Sequence, residues 1–299
     1  MSTTATRLPR SAGSTAASNV KRFTLADISS KGSDLPNRYS LHAVEGWGKT
    51  SLATHGPKPV FLQSRGETGL ETLIQSGQVK ETAHFPQADT WEDARAQVRF
   101  LIDEEHPYKM LVIDTVNGLE RLCHEFVCRR DFGDDWGDKG FTGYMRGYEV
   151  SLAEWRLFLN DLDELRSIKR MTIFLLAHTR VKGFKNPDGP DYDRYMPDMH
   201  EKTWGLTHKW LDAVFFGNFE TIVKTGKTED ATKKGKASGG NIRVLYAQRT
   251  SAFDAKNRFG MPEEIEMGDS SAEAWSQLIK AIKEGKKATA ENGGQNDGQ

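Results

Sequence analysis

Cysteine is nearly absent from this chain: there are two among 299 residues, Cys123 and Cys128. Two cannot build a disulfide framework, and their scarcity fits a reducing compartment. Together with His124 they share one helical stretch, and no second pair at ligand spacing accompanies them, so core packing is the reading preferred over zinc. An excess of positive charge is also lacking. Lys and Arg total 41 against 42 for Asp and Glu, a formal net charge of -1. No global basic field therefore draws the chain to nucleic acid, and any such contact needs a local patch. No apolar run reaches transmembrane length, and the N-terminus has no apolar signal segment. A soluble, cytoplasmic protein without membrane contact is expected. Residues 1–20 and the tail ATAENGGQNDGQ after Lys287 lack periodicity and are expected to be disordered, leaving a domain over 21–287.

What the sequence does contain is an alternation of strand-like and helix-like segments, which argues for an α/β sheet. Strands are expected at Arg38–Val44, Pro59–Gln63, Met110–Asp114, Met171–Ala177 and Ala213–Phe216. Helical spacing links Leu119, Leu122, Cys123, Phe126 and Val127, and again Leu152, Trp155, Phe158, Leu159, Leu162 and Leu165. Phe219–Lys224 and Asn241–Gln248 read as two further strands joined by a Lys- and Gly-rich loop. A last helix carries Trp275, Leu278, Ile279 and Ile282.

The first strand runs into Glu45-Gly46-Trp47-Gly48-Lys49-Thr50-Ser51, the back half of a phosphate-binding loop. Glycines let several backbone N–H groups converge on one anion. Lys49 would reach the outer phosphates and Thr50 would hold Mg²⁺. The first glycine of the pattern is replaced by Ala43, near the end of the strand. The run Met110–Asp114 is a buried-strand sequence closed by an acid, placing Asp114 where it can support the metal. A triphosphate nucleotide, ATP, with Mg²⁺ is the ligand expected. Thr115 follows Asp114, so the acid that orients the attacking water must come from elsewhere. Glu67, after the strand Pro59–Gln63, is the best placed. His178 follows Met171–Ala177, where it would contact the γ-phosphate or the water and signal phosphate loss to the next loop.

The set VEGWGKTSLA, FLQSRGETGLETL, LVIDTVNGLE and IFLLAHTR resembles the RecA-type ATP-binding proteins of phages and prophages, among them the single-strand-annealing ATPases of the Sak group. The resemblance covers about residues 38–260. It implies a RecA-like P-loop core, with a mostly parallel central sheet flanked by helices and a C-terminal β-hairpin extension. It also implies Mg²⁺-dependent ATP hydrolysis with Glu67 as catalytic glutamate, Asp114 as metal acid and His178 as switch. Single-stranded DNA would be bound in rings or filaments, in a host cytoplasm if phage-encoded.

Two loops fall where such proteins meet DNA. Asp131–Tyr148 carries Trp136, Phe141, Tyr144, Arg146 and Tyr148 among four aspartates, and Arg180–Lys202 carries Arg180, Lys182 and Lys185 beside Phe184. Aromatics stack on bases and cations pair with phosphate, although a subunit contact or a plain lid also fits. Lys256 and Arg258 resemble the cation that reaches a neighbouring subunit's γ-phosphate. The rival functions are an ATP-dependent protein remodeller or helicase loader, and a nucleotide-binding regulator with little turnover.

Overall fold

The computed structural model describes residues 24–30, 32, 34–224 and 236–293. The elements follow in order β1 (Arg38–Ala43), α1 (Lys49–Ala53), β2 (Pro59–Gln63), α2 (Gly69–Gln75), β3 (Ala83–His84), α3 (Trp91–Asp103), β4 (Met110–Asp114), α4 (Val116–Phe132), α5 (Arg146–Ile168), β5 (Thr172–Phe184), β6 (Tyr192–Pro197), α6 (Glu201–Trp210), β7 (Ala213–Lys224), β8 (Lys236–Tyr246), β9 (Lys256–Asn257), β10 (Glu264–Glu266) and α7 (Ser271–Gly293). Among the described residues the strands form one sheet in the order β10-β8-β7-β1-β5-β4-β2-β3. The strands from β7 to β3 along that path run parallel, and β8 and β10 continue the edge antiparallel. This is the mostly parallel, helix-flanked central sheet expected, and the C-terminal hairpin extends the same sheet.

Both faces of the central strands are covered, which is why they read as unbroken apolar runs. In β4, Leu111 and Ile113 face a cluster built with α3, α4, α5 and α6, whereas Met110 and Val112 face a second cluster built with α1, α2 and α7. Helix ends follow local chemistry. Thr90 caps α3 by accepting from Asp93 N–H, and α4 stops at Gly133, whose φ of 59° suits a left-handed cap.

Several boundaries differ from expectation for identifiable reasons. Ala213–Phe216 and Phe219–Lys224 merge into β7, with a register shift between Phe219 and Thr221. Gly217 and Asn218 suggest a turn, but Gly217 serves close approach. A Cβ there would lie 2.7 Å from the Trp47 ring and 2.8 Å from the Ala43 Cβ. β5 continues past Ala177 to Phe184 because β6 pairs with its far half, so much of the expected Arg180–Lys202 loop is a hairpin. The expected loop over 225–240 is strand from Lys236, and residues 225–235 lie outside the described residues. The last helix continues to Gly293, beyond the Lys287 boundary expected for the tail, with a Lys287–Glu291 ion pair one turn apart at 3.8 Å. The expected N-terminal tail, residues 1–20, lies outside the described residues. Cys123 and Cys128 are both buried, one in the main cluster and one beside Phe141.

Contacts divide the chain into Met1–Asp34 and Leu35–Gln299. In the first unit the described feature is a short 3-10 turn, Leu25–Asp27, capped by Thr24. Among the described residues no helix is long and apolar enough to cross a membrane.

The packing at Gly217 yields a direct expectation. Gly217→Ala should force Trp47 or β1 to shift and lower stability by about 1–3 kcal/mol, read as a reduced urea midpoint. An unchanged midpoint would refute the close approach.

Candidate functional site

The site lies at the carboxyl ends of the parallel strands, where open α/β sheets bind their ligands. β1 ends at Ala43, paired with His178 on one side and Gly217 on the other. Ala43 stands at the position of the first glycine, and its Cβ has room because its register partner Gly217 carries none. Val44 N–H donates to the Gly217 carbonyl at 3.2 Å. Gly46 and Gly48 then take φ of 74° and 95°, a region open to glycine and strained for other residues. Lys49 opens α1. Glu45 is exposed at the mouth of the loop, and Ser51 sits partly buried on α1 beside Thr50.

Trp47 departs from expectation. Its side chain turns away from the loop's concavity and is fully buried. The indole N–H donates to the carbonyls of Asn218 at 3.0 Å and Val244 at 3.2 Å. A large apolar ring with a satisfied N–H is more stable beneath the loop than at its open face. Trp47 therefore fixes the loop from below, through its indole contacts with β7 and β8.

The charged groups converge as the sequence suggests. Lys49 is buried, and its ammonium donates to the Ala43 carbonyl at 3.3 Å. Burial lowers its pKa, opposed by Asp114, Glu67 and Glu45. The Thr50 hydroxyl donates to Asp114 Oδ2 at 2.8 Å. Burial is the main cause that pushes the Asp114 carboxyl up to about 6, reinforced by the nearby Glu67 charge. The peptide joining Asp114 to Thr115 is cis. Glu67 Oε1 accepts from the Thr115 hydroxyl at 2.9 Å and lies 3.2 Å from His178 Nε2. The His178 hydrogen bond holds the Glu67 carboxyl below its ordinary value, and the same bond raises His178.

Four residues that sequence reasoning passed over complete this arrangement. Thr115 occupies the position after Asp114 and holds the Glu67 carboxylate that comes from the neighbouring strand. Gln63 and Gln87 both donate to the Glu67 carbonyl, at 3.0 and 2.8 Å. The Asn117 side chain accepts from His178 N–H at 3.0 Å. Only Thr115 carried a sequence signal, by its position after the strand-end acid.

A hydroxyl and a carboxylate in contact, with the Glu67 charge acting on the same carboxyl, form a small all-oxygen donor set suited to a hard divalent cation that keeps other oxygen ligands of its own. A cation there would oppose the burial that raises Asp114. Mg²⁺ therefore fits Thr50 and Asp114. A cavity of about 390 Å³ opens beside these groups, lined by Glu45, Glu67, Asn117, Arg121 and His178.

A second cavity of about 490 Å³ adjoins the first, sharing Asn117, Arg121 and Asp198. Asn117, Glu120, Arg121 and His124 of α4 line it, at helical spacing that puts them on one face. Both expected DNA loops border it: Trp136 and Tyr148 from one, Arg180, Lys182 and His200 from the other. Tyr148 stacks on His200 at 4.3 Å, whereas Phe141 is fully buried and so unable to stack on a base. Tyr144 is 98% exposed. The expected basic cluster is interleaved with acids. Arg180 pairs with Asp198 at 3.3 Å, Lys182 with Glu201 at 3.0 Å, and Lys185 lies 3.9 Å from Asp191. Phe184 packs on Tyr192 at 5.1 Å. The β5–β6 hairpin and the start of α6 bring these acids opposite the cations, a pairing that local sequence does not reveal.

Lys256 and Arg258 lie elsewhere. β9 pairs with Ala213 and Val214, at the amino end of β7, away from the phosphate loop. The Lys256 ammonium donates to the carbonyls of His208 at 2.6 Å and Leu211 at 2.7 Å, at the end of α6. Arg258 is 3.4 Å from Asp212. Within this chain the Lys256 donors thus satisfy helix-end carbonyls.

Glu120 joins α4 to the segment entering α6. It is buried, and its two oxygens accept from His200 N–H at 3.1 and 2.9 Å. Burial pushes its carboxyl up to about 7. As pH rises from the ordinary carboxylate range to about 7, the folded chain keeps a proton that the unfolded chain has lost. That contribution to stability declines across the window. Glu120→Gln removes it, so the stability of the variant relative to wild type should be more favourable at pH 8 than at pH 5 in urea titrations. A difference independent of pH would refute the assignment.

Residues 35–259 match a family described as AAA domain. No curated protein matches the chain. Among solved structures, the crystal structure of the RadB recombinase aligns over 80% of this chain and 90% of its own, at 12% identity and a TM-score of 0.42.

Proposed function

The chain belongs to the AAA domain family, and from that premise we propose that it is a Mg²⁺-dependent ATPase whose nucleotide state governs contact with single-stranded DNA. The observation that carries the ATPase reading is the 2.8 Å contact between Thr50 and Asp114, with Glu67 held beside it by Thr115 and His178.

In this reading Lys49 exchanges the Ala43 carbonyl for the outer phosphates, and Thr50 and Asp114 hold Mg²⁺. The ion supplies charge neutralisation on the phosphate oxygens. Glu67 is ionised because two hydrogen bonds favour its charged form. A carboxylate held below its ordinary value is a weaker proton acceptor, so in this reading Glu67 chiefly orients water towards the terminal phosphate. His178 has two competing partners, Glu67 and an incoming phosphate, and its N–H is tied to Asn117. Loss of the phosphate would return the imidazole to Glu67 and shift the start of the β5–β6 hairpin.

DNA contact is supported by the second cavity, where Trp136, Tyr148 and Arg121 offer stacking surfaces and a cation next to the nucleotide site. Surface ion pairs such as Lys182–Glu201 are weak and readily exchanged for phosphate. Assembly into rings or filaments, and a phage annealing role, are finer parts of the same proposal. A second reading, a protein remodeller or helicase loader, is favoured by the acids interleaved with those cations and by exposed Tyr144.

Lys49→Ala should abolish measurable Mg·ATP binding. Glu67→Gln should keep binding but lower kcat by roughly 100-fold or more, measured by phosphate release; undiminished turnover would remove Glu67 from the chemistry. On filters, wild type should retain single-stranded DNA more strongly with a non-hydrolysable ATP analogue than without nucleotide. Equal retention would favour the protein-partner reading.

A further inference from the structure

Arg243 of β8 stands directly over the phosphate loop. A Cβ built on Gly48 would lie 3.4 Å from Arg243 Nη1. β8 is fixed to this place, since the adjacent Val244 carbonyl accepts the Trp47 indole N–H at 3.2 Å. The guanidinium is itself oriented. It is partly buried, and Nη2 donates to the Gly268 carbonyl at 2.9 Å. Gly268 has a φ of 68°, and a Cβ there would meet the Glu273 carboxyl at 2.2 Å, so this carbonyl is presented by a turn that only glycine fits.

The position of Arg243 in the sheet decides which part of a ligand it faces. Thr50 contacts Asp114 at the end of β4, Glu67 follows β2 and His178 lies within β5, all on one flank of β1. Arg243 lies on the other flank, where β8 pairs with β7 through Phe219. A polyphosphate with its terminal group beside Glu67 must lead its opposite end across Gly48 towards β7 and β8. We infer that Arg243 is a nucleotide-binding residue that acts within its own subunit on the α-phosphate and sugar end of the bound nucleotide. The inference rests on the nucleotide site proposed above. A guanidinium suits the role because its planar fork matches phosphate oxygens and its charge is independent of pH. It also gives the C-terminal hairpin a purpose: β8 closes the side of the site that the phosphate loop leaves open.

The test is calorimetric titration of the full chain with Mg·ADP, alongside steady-state ATP hydrolysis. Arg243→Ala should raise the Kd for ADP and the KM for ATP by roughly 10- to 100-fold, while kcat at saturating ATP stays close to wild type because the contact is remote from the reacting phosphate. Arg243→Lys should recover part of the affinity. A merely structural arginine would lower the melting temperature and leave the ADP Kd unchanged, and that outcome in a folded variant overturns the inference. If Arg243→Ala does not fold, phenylglyoxal modification of wild type mapped by mass spectrometry decides. ADP should protect Arg243, and equal labelling with and without ADP overturns the assignment. Wild type that binds no ADP would remove the nucleotide site and this inference together, whereas unchanged ADP binding in the variant removes the inference alone.

Discussion

The burial of one indole under the phosphate loop is the constraint on which the site depends. Trp47 lies between two glycines of the loop and is fully buried, with its N–H shared between carbonyls of β7 and β8. Because the ring cannot leave without exposing a large apolar surface and two strand carbonyls, Gly46 and Gly48 are held in left-handed conformations above it. That fixed turn places Lys49 against the end of β1 and starts α1 so that Thr50 meets Asp114. Gly217 makes the arrangement possible by leaving space where β7 passes beneath. A loop otherwise free to rearrange is thus prepared for an anion before any ligand arrives.

Around this turn the electrostatics are unbalanced by design of the sheet. Three acids from different segments, Glu45, Glu67 and Asp114, act on the single ammonium of Lys49. Asp114 is raised and Glu67 is lowered, although both approach the same lysine. Burial decides the first, and donated hydrogen bonds decide the second. The two carboxyls therefore differ in what favours their charge, one disfavoured by burial and the other favoured by donated hydrogen bonds.

Much of this was legible in the sequence because it is local. A strand run followed by Gly-x-Gly-Lys-Thr, or an apolar pentamer closed by Asp, fixes both the element and the end at which its polar residue emerges. Thr50 and Asp114 were expected together on those grounds, and the structure sets them in contact, with Glu67 and His178 paired beside them. What could not be read depends on partners far along the chain. The inward turn of Trp47 is decided by Gly217 and Val244, and Arg243 reaches Gly48 only because β8 joins the sheet edge. The pairing of Lys182 with Glu201 requires the β5–β6 hairpin, and Lys256 is consumed by the end of α6. Local spacing shows that a residue is polar, but the pairing of distant strands determines whether it meets solvent, an acid or a carbonyl.

The polar face of α4 touches two distant stretches of backbone. Asn117 holds the amide of His178, and one turn later Glu120 holds the amide of His200. These amides bracket the β5–β6 hairpin at its base. One helix, capped by Thr115 next to Asp114, thus grips both roots of a protruding arm. Midway along β6 the arm is tied again, with Tyr195 N–H donating to the Ala252 carbonyl at 2.8 Å, so its footing is shared between this helix and the segment 252–254.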